Sequence, residues 1–177
     1  MSLSSALDTA LAAPAATPGR VEAREGGTSV EVDVRDVDRL GATLDRVVVR
    51  DPGGGSVARQ AEAAPDRLKA LGEALAPVEV EPRLGGAVLR TPPESMEDGR
   101  FWEVTIAGDG REARVDRYRV GQDGTRRAEP FTVTREALGR VVDGLSGTLE
   151  AGRGGEGGRS ARGVGSSRRL VRGTGTP

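Results

Sequence analysis

Phe101-Trp102-Glu103-Val104-Thr105-Ile106-Ala107, Gly108-Asp109-Gly110 and Ala113-Arg114-Val115-Asp116-Arg117-Tyr118-Arg119-Val120 form the stretch that decides the fold. Apolar and polar residues alternate in both flanks, the period of a strand with one buried face. Asp109-Gly110 between them is a hairpin signal, because glycine accepts the positive φ that a tight turn requires. Trp102, Val104 and Ile106 share one face of the first strand, and Tyr118 and Val120 share a face of the second. The sequence therefore predicts an antiparallel hairpin here, with Trp102 on its buried side.

Working outward, the same pattern recurs on both sides. Strands are predicted over 78–81, 87–91 and 126–133, parted by Gly85-Gly86, Pro92-Pro93 with Gly99, and Asp123-Gly124, which completes a β-meander. Nearer the N-terminus, 21–25, 29–37 and 44–50 read as strands forming a β-hairpin region. Val30, Val32, Val34 and Val37 alternate with charges there, with a slip near Asp36. Two helices interrupt the strands. One is predicted over 57–76, with Ser56 as its N-cap and Val57, Ala61, Ala64, Leu68, Leu71 and Leu75 on one stripe. Pro65 should kink or restart it. The other runs over 134–146 from the cap Thr134, with Val133 and Leu138 spaced as a hydrophobic staple. Its stripe is Ala137, Leu138, Val141, Val142 and Leu145, weakened at Gly139 and Gly144. The expected fold class is α+β: an antiparallel meander sheet packed by two helices.

The organisation that follows is an N-terminal arm over 1–19, a single α+β domain over 20–150, and a disordered Gly/Arg-rich tail over 151–177. In the arm, Leu3, Leu7 and Leu11 recur every four residues and admit a short helix before Pro14. A frayed arm is the simpler expectation. The chain has 177 residues and a net charge of −1, unevenly placed. The segment from Ala151 to Pro177 holds six arginines and one glutamate, leaving −6 on residues 1–150. Lys69 is the single lysine, and Phe101, Trp102, Tyr118 and Phe131 are the whole aromatic set. The core must then rest on Val, Leu, Ile and Ala, which bury less area each than aromatics do.

There is no histidine and no cysteine. That excludes a Ser-His-Asp triad, an imidazole base, a thiolate nucleophile and the Cys/His metal clusters. No cofactor is expected, and neither catalytic residues nor metal ligands are assigned. Lack of cysteine fits a reducing compartment, and no apolar run approaches the ~20 residues of a membrane span. A cytoplasmic protein without membrane association is therefore expected.

Four groupings remain as candidate chemistry. Glu31 with Asp33, and Glu79 with Glu81, lie on common strand faces. Converging carboxylates hold hard cations, but alternating charges on a strand also simply face water. Gly53-Gly54-Gly55-Ser56 sits where phosphate loops occur, between strand and helix, yet lacks the following lysine. The alternative is a connector with a serine cap. Arg114, Arg117, Arg119 and Arg126 are the candidate binding residues, as a basic sheet face for an anionic partner. Cross-strand ion pairs with Glu112, Asp116 and Glu129 are the competing account. The tail arginines could track a nucleic-acid backbone, but no aromatic residue interleaves to stack on bases.

Phe101-Trp102-Glu103-Val104 followed by Arg119-Val120-Gly121-Gln122-Asp123-Gly124 resembles a WGR domain, a family associated with DNA-repair and polymerase-related proteins. The family's Trp-Gly-Arg would end at Arg119, where this chain has Arg117-Tyr118-Arg119 and matches only the last residue. A broader resemblance runs through Leu68 to Leu75, Leu89-Arg90-Thr91-Pro92-Pro93, Trp102-Glu103, Arg117-Tyr118-Arg119 and Val133-Thr134-Arg135-Glu136. It is to a family of uncharacterised bacterial proteins and spans roughly residues 38–146. That resemblance implies one folded unit and no particular activity. The leading expectation is a non-enzymatic protein-interaction or structural module whose partner is another protein. The alternatives are a nucleic-acid-associated accessory protein using the basic tail, and a carboxylate- or arginine-based enzyme.

Overall fold

The computed structural model describes residues 1–13 and 18–154. Along them run α1 (Leu3–Ala12), β1 (Gly19–Glu25), β2 (Thr28–Val37), β3 (Gly41–Arg50), α2 (Val57–Arg67) and β4 (Ala76–Glu81). There follow β5 (Gly86–Arg90), β6 (Arg100–Ala107), β7 (Glu112–Val120), β8 (Arg126–Ala128), β9 (Phe131–Thr134) and α3 (Arg135–Ala151). All nine strands join one antiparallel sheet in the order β1-β2-β3-β7-β6-β5-β4, with β8 on β7 and β9 on β3. The fold class is α+β, with a meander-type sheet.

Alternation places the core. Val30, Val32 and Val34 of β2, Val47 and Val49 of β3, Leu89 of β5, Trp102, Val104 and Ile106 of β6, and Ala113 and Val115 of β7 form one buried face. The helices lie over it, presenting Val57, Ala61 and Ala64 from α2, and Leu138, Val141, Val142 and Leu145 from α3. Their caps are the expected ones: Ser56 Oγ accepts from the Arg59 amide at 3.5 Å and Thr134 Oγ1 from the Ala137 amide at 3.1 Å. The slip near Asp36 is a register irregularity between β2 and β3, at Asp33, Val34 and Asp36.

The sheet forks at its centre. Arg46–Arg50 of β3 pair with β7, while Gly41–Leu44 pair with β9. The far end of β7, Tyr118–Val120, pairs instead with β8. The segment expected as one strand over 126–133 is thus two, filling the fork between β3 and β7. Pro130 lies between them, and a residue without an N–H suits such a break.

Three other expectations are corrected. Instead of a frayed arm, Leu3–Ala12 is a helix whose Leu3, Leu7 and Leu11 are buried against β1 and α3. Burying three leucines outweighs the fraying of a short end segment. Arg135 reinforces the docking, donating to Asp8 Oδ1 at 2.7 Å. There are accordingly three covering helices, not two. The helix expected over 57–76 passes through Pro65 and ends at Arg67, followed by a 3-10 turn, Lys69–Leu71, and Gly72 at φ 77°. Leu68, Leu71 and Leu75 are buried as the stripe implied, although beyond the α-helix. The helix expected to stop at 146 continues to Ala151, because Thr148 and Leu149 extend its buried face. Gly144 has a packing reason: a Cβ there would run into the Arg67 carbonyl oxygen of α2.

Gln60 joins the layers at one end of the sheet. Fully buried, it donates from Nε2 to the carbonyl oxygens of Gly110, at 2.9 Å, and Leu149, at 3.0 Å. One side chain thereby binds α2, the β6–β7 turn and the end of α3. The segments 14–17 and 155–177, which hold most of the expected tail, lie outside the described residues. No helix among the described residues is long and apolar enough to cross a membrane.

Candidate interaction surfaces

The four candidate arginines do not form one patch. Strand alternation sends Arg114 and Arg126 to the face opposite the helices, and Arg117 and Arg119 to the helix side. Arg114 Nε lies 2.6 Å from Asp116 Oδ2, but its N–H is not aimed at that oxygen, so the contact is one of charge rather than a hydrogen bond. Asp116 is also held by Arg46 at 2.8 Å. Arg126 lies over the Tyr118 ring at 3.5 Å, and Glu103 receives its Nη2 at 2.5 Å and Arg90 Nε at 2.6 Å. Burial alone would raise the Glu103 pKa. The hydrogen bonds from Arg126 and Arg90 overcome it and hold the carboxyl below its ordinary range. The sheet's open face is therefore roofed by a guanidinium–carboxylate lattice, under which even Val48 is buried.

On the helix side, Arg117 stacks over Trp102 at 4.4 Å and donates to Glu73 at 2.8 Å. Glu73 also accepts from the Thr91 hydroxyl at 2.8 Å. Arg119 donates to the Asp98 carbonyl at 3.4 Å and lies 3.8 Å from Glu129. A shallow cavity of about 400 Å³ opens here, lined in part by Leu71, Glu73, Trp102, Arg117 and Phe131. Each of the four arginines thus has a carboxylate or carbonyl beside it, and an incoming anion would have to displace that partner.

The Gly53–Ser56 loop has no spare donors for phosphate. The Gly53 amide donates to Asp51 Oδ1 at 2.8 Å and that of Gly54 to the Asp51 carbonyl at 3.4 Å. The Gly55 amide donates to the Asp109 carbonyl at 3.2 Å and that of Ser56 to the Gly152 carbonyl at 3.0 Å. Its glycines serve close packing: a Cβ on Gly55 would meet the Gly152 backbone. The connector reading describes the loop. Glu31 and Asp33 are likewise engaged, both by Arg20 and Glu31 also by Arg50.

Among the described residues the strand path from β1 to β4 has two outer edges, and they differ. On β1, Arg24 donates to Glu22 at 2.7 Å and Arg20 to Asp33 at 3.2 Å, while α1 covers Ala23 from the helix side. On β4, residues 77–81 are all exposed. The pairing with β5 slips between Pro77 and Glu79, so Val78 bulges out and is 57% exposed. Val80, opposite buried Ala87, faces the helix side and is 37% exposed. Leu84, in the turn that follows, is 82% exposed. Glu79 and Glu81 lie on the open face with no ion-pair partner among the described residues.

Sequence reasoning recognised the Val-Glu-Val-Glu strand but not that it is an edge. The available signal was Pro77, since proline within a strand-like run is confined to edges and bulges. No family model matches the chain, and neither a curated protein nor a solved structure matches it.

Proposed function

We propose that this protein is an interaction module that takes an extended segment of another protein as an added strand on the β4 edge. One observation carries the reading: β4 is exposed along nearly its whole length and presents Val78 and Val80 to solvent, with Leu84 exposed in the turn that follows. An unpaired edge offers backbone donors and acceptors to an incoming strand, and alternate side chains supply selectivity. Charge defines the chemistry of the incoming strand. Glu79 and Glu81 would face like charges if β4 paired with a second copy of itself, which is unfavourable. A strand that alternates basic and apolar residues meets the glutamates on one face and Val80 on the other. A cytoplasmic setting, in keeping with the cysteine-free chain, belongs to the same reading.

Fluorescence anisotropy with a labelled eight-residue peptide of alternating arginine and valine tests it. Binding should weaken at least ~10-fold in Val80→Lys, a difference of about 1.4 kcal/mol. The melting midpoint should scarcely move, since Val80 is a partly exposed edge residue. Undiminished binding by Val80→Lys would sink the proposal.

A further inference from the structure

We infer that the cavity beside Trp102 is a binding site for a small zwitterion, a free α-amino acid with an apolar side chain. The inference goes beyond the β4 reading and does not depend on it, since neither Val78 nor Val80 lines this cavity.

Three observations converge. The first is the charge on the walls. Glu73, Arg100, Arg117 and Glu129 are the charged residues that line the cavity. They are matched as pairs: Arg117 donates to Glu73 at 2.8 Å and Arg100 to Glu129 at 3.0 Å. The Arg117–Glu73 pair is largely removed from water, its side chains 14% and 17% exposed. A simple anion that took Arg117 would leave Glu73 unpaired, and a simple cation that took Glu73 would leave Arg117 unpaired. Either loss is unfavourable for a charge so far desolvated. A ligand with a carboxylate and an ammonium on one carbon avoids both. Its carboxylate replaces Glu73 on Arg117, and its ammonium replaces Arg117 on Glu73.

The second is an unused donor. Trp102 is 5% exposed, and its indole Nε1 has no hydrogen-bond partner among the described residues. An indole N–H only donates, and buried donors ordinarily find an acceptor. A ligand carboxylate against Trp102 supplies one. The neighbouring polar groups are already fixed. The Trp102 amide donates to Thr91 Oγ1 at 3.0 Å, and the Thr91 hydroxyl donates to Glu73 Oε2 at 2.8 Å. Thr91 thereby holds one oxygen of Glu73 in place, while the other, Oε1, is the one that Arg117 uses and a ligand ammonium can take over.

The third is the apolar part of the lining. Phe131 meets the Trp102 ring edge-on at 4.8 Å, and Leu71 lines the same cavity. These surfaces suit an aliphatic or aromatic side chain beside the charged end of the ligand. The volume, about 400 Å³, lies within the range of small-molecule sites, roughly 300–1,000 Å³.

Trp102 is the single tryptophan, so its emission reports on the site. The full chain titrated with leucine, methionine and phenylalanine should show a saturable emission change with at least one of them, and calorimetric titration should return the same affinity. Two analogues of the tightest binder separate its charges, one without the ammonium and one without the carboxylate (isocaproate and isoamylamine for leucine). Each should bind at least ~10-fold more weakly than the amino acid. Glu73→Gln keeps an acceptor for Thr91 but removes the charge, and should weaken the amino acid by at least ~10-fold as well. Circular dichroism and the melting midpoint establish that this variant is folded. Arg117→Lys, which keeps the charge but loses the planar fork, should also bind more weakly and gives a second variant to read. Three results would each overturn the inference. They are no saturable binding of any of the three amino acids by either readout, an analogue with one charge binding as tightly as its parent, and undiminished binding by folded Glu73→Gln. The second of these would show a plain anion or cation site, and the third would leave the Arg117–Glu73 pair a purely structural tie.

Discussion

The two outer edges of the β1-to-β4 strand path solve one problem in opposite ways. Any edge strand is a row of unpaired backbone groups, and folded proteins blunt it with charge, proline, bulges or cover. The β1 edge uses cover and internally balanced charge: α1 packs against it, and Arg20 and Arg24 have carboxylates beside them. The β4 edge uses Pro77, a bulge at Val78 and two glutamates without ion-pair partners among the described residues. These devices discourage self-association but do not close the edge. On the proposed function, a balanced edge is neutral toward every comer, whereas one with glutamates and exposed valines discriminates among incoming strands.

The comparison breaks most easily at α1. Replacing Leu7 by alanine should cost about 2–5 kcal/mol, since the residue is fully buried. Calorimetry gives the total, and exchange should accelerate in β1 while β4 is unaffected. An unchanged β1 would mean that its own charges protect it and that the helix is incidental.

Acid sharpens the comparison next. Glu103 ties Arg90 of β5 to Arg126 of β8, on the β4 side of the fork. Its folded pKa lies below the ordinary value of 4.5. The stability that it contributes is therefore present above that unfolded value and lost as pH falls through the folded one. Glu103→Gln should cost about 1–3 kcal/mol near neutrality and flatten the acid limb of the stability curve. A mutant as acid-sensitive as wild type would show that this carboxylate is not the group responsible.

Val80→Lys, with its expected ~10-fold loss of peptide binding, comes third. Arg24→Ala should be the mildest change. Its ion pair is exposed on both sides, so the melting midpoint and the exchange of β1 should stay within error. A measurable shift there would mean that charge contributes more to the closed edge than helix cover does.

Most of the fold was legible because its local signals agree with its tertiary pattern. The Asp109-Gly110 turn, the valine alternation in β2 and the stripe from Val57 to Leu75 all reached their expected places. What was not legible depended on distant partners. The adjacency of β3 and β7 joins residues 46–50 to 112–116, and no short window announces it. The arm became a helix because α3 and β1 were there to receive its leucines. The expected helix over 57–76 overruns because Leu68, Leu71 and Leu75 keep the apolar period after the α-helix has ended at Arg67. Gln60 carried a visible signal, a polar residue on the apolar stripe three residues after Val57, and it marks the buried joint. The candidate arginines were legible as residues but not as a site, because Arg114 and Arg117 stand an odd number of positions apart. The β4 edge was legible only through Pro77.

Chemical-shift mapping of the full chain at saturating alternating arginine–valine peptide tests the central claim most directly. The account predicts shifts concentrated in Ala76–Glu81 and the following turn through Leu84, with Gly19–Glu25 unmoved. Shifts centred on β1 or on the arginine-roofed face, or no shifts at all, would contradict it.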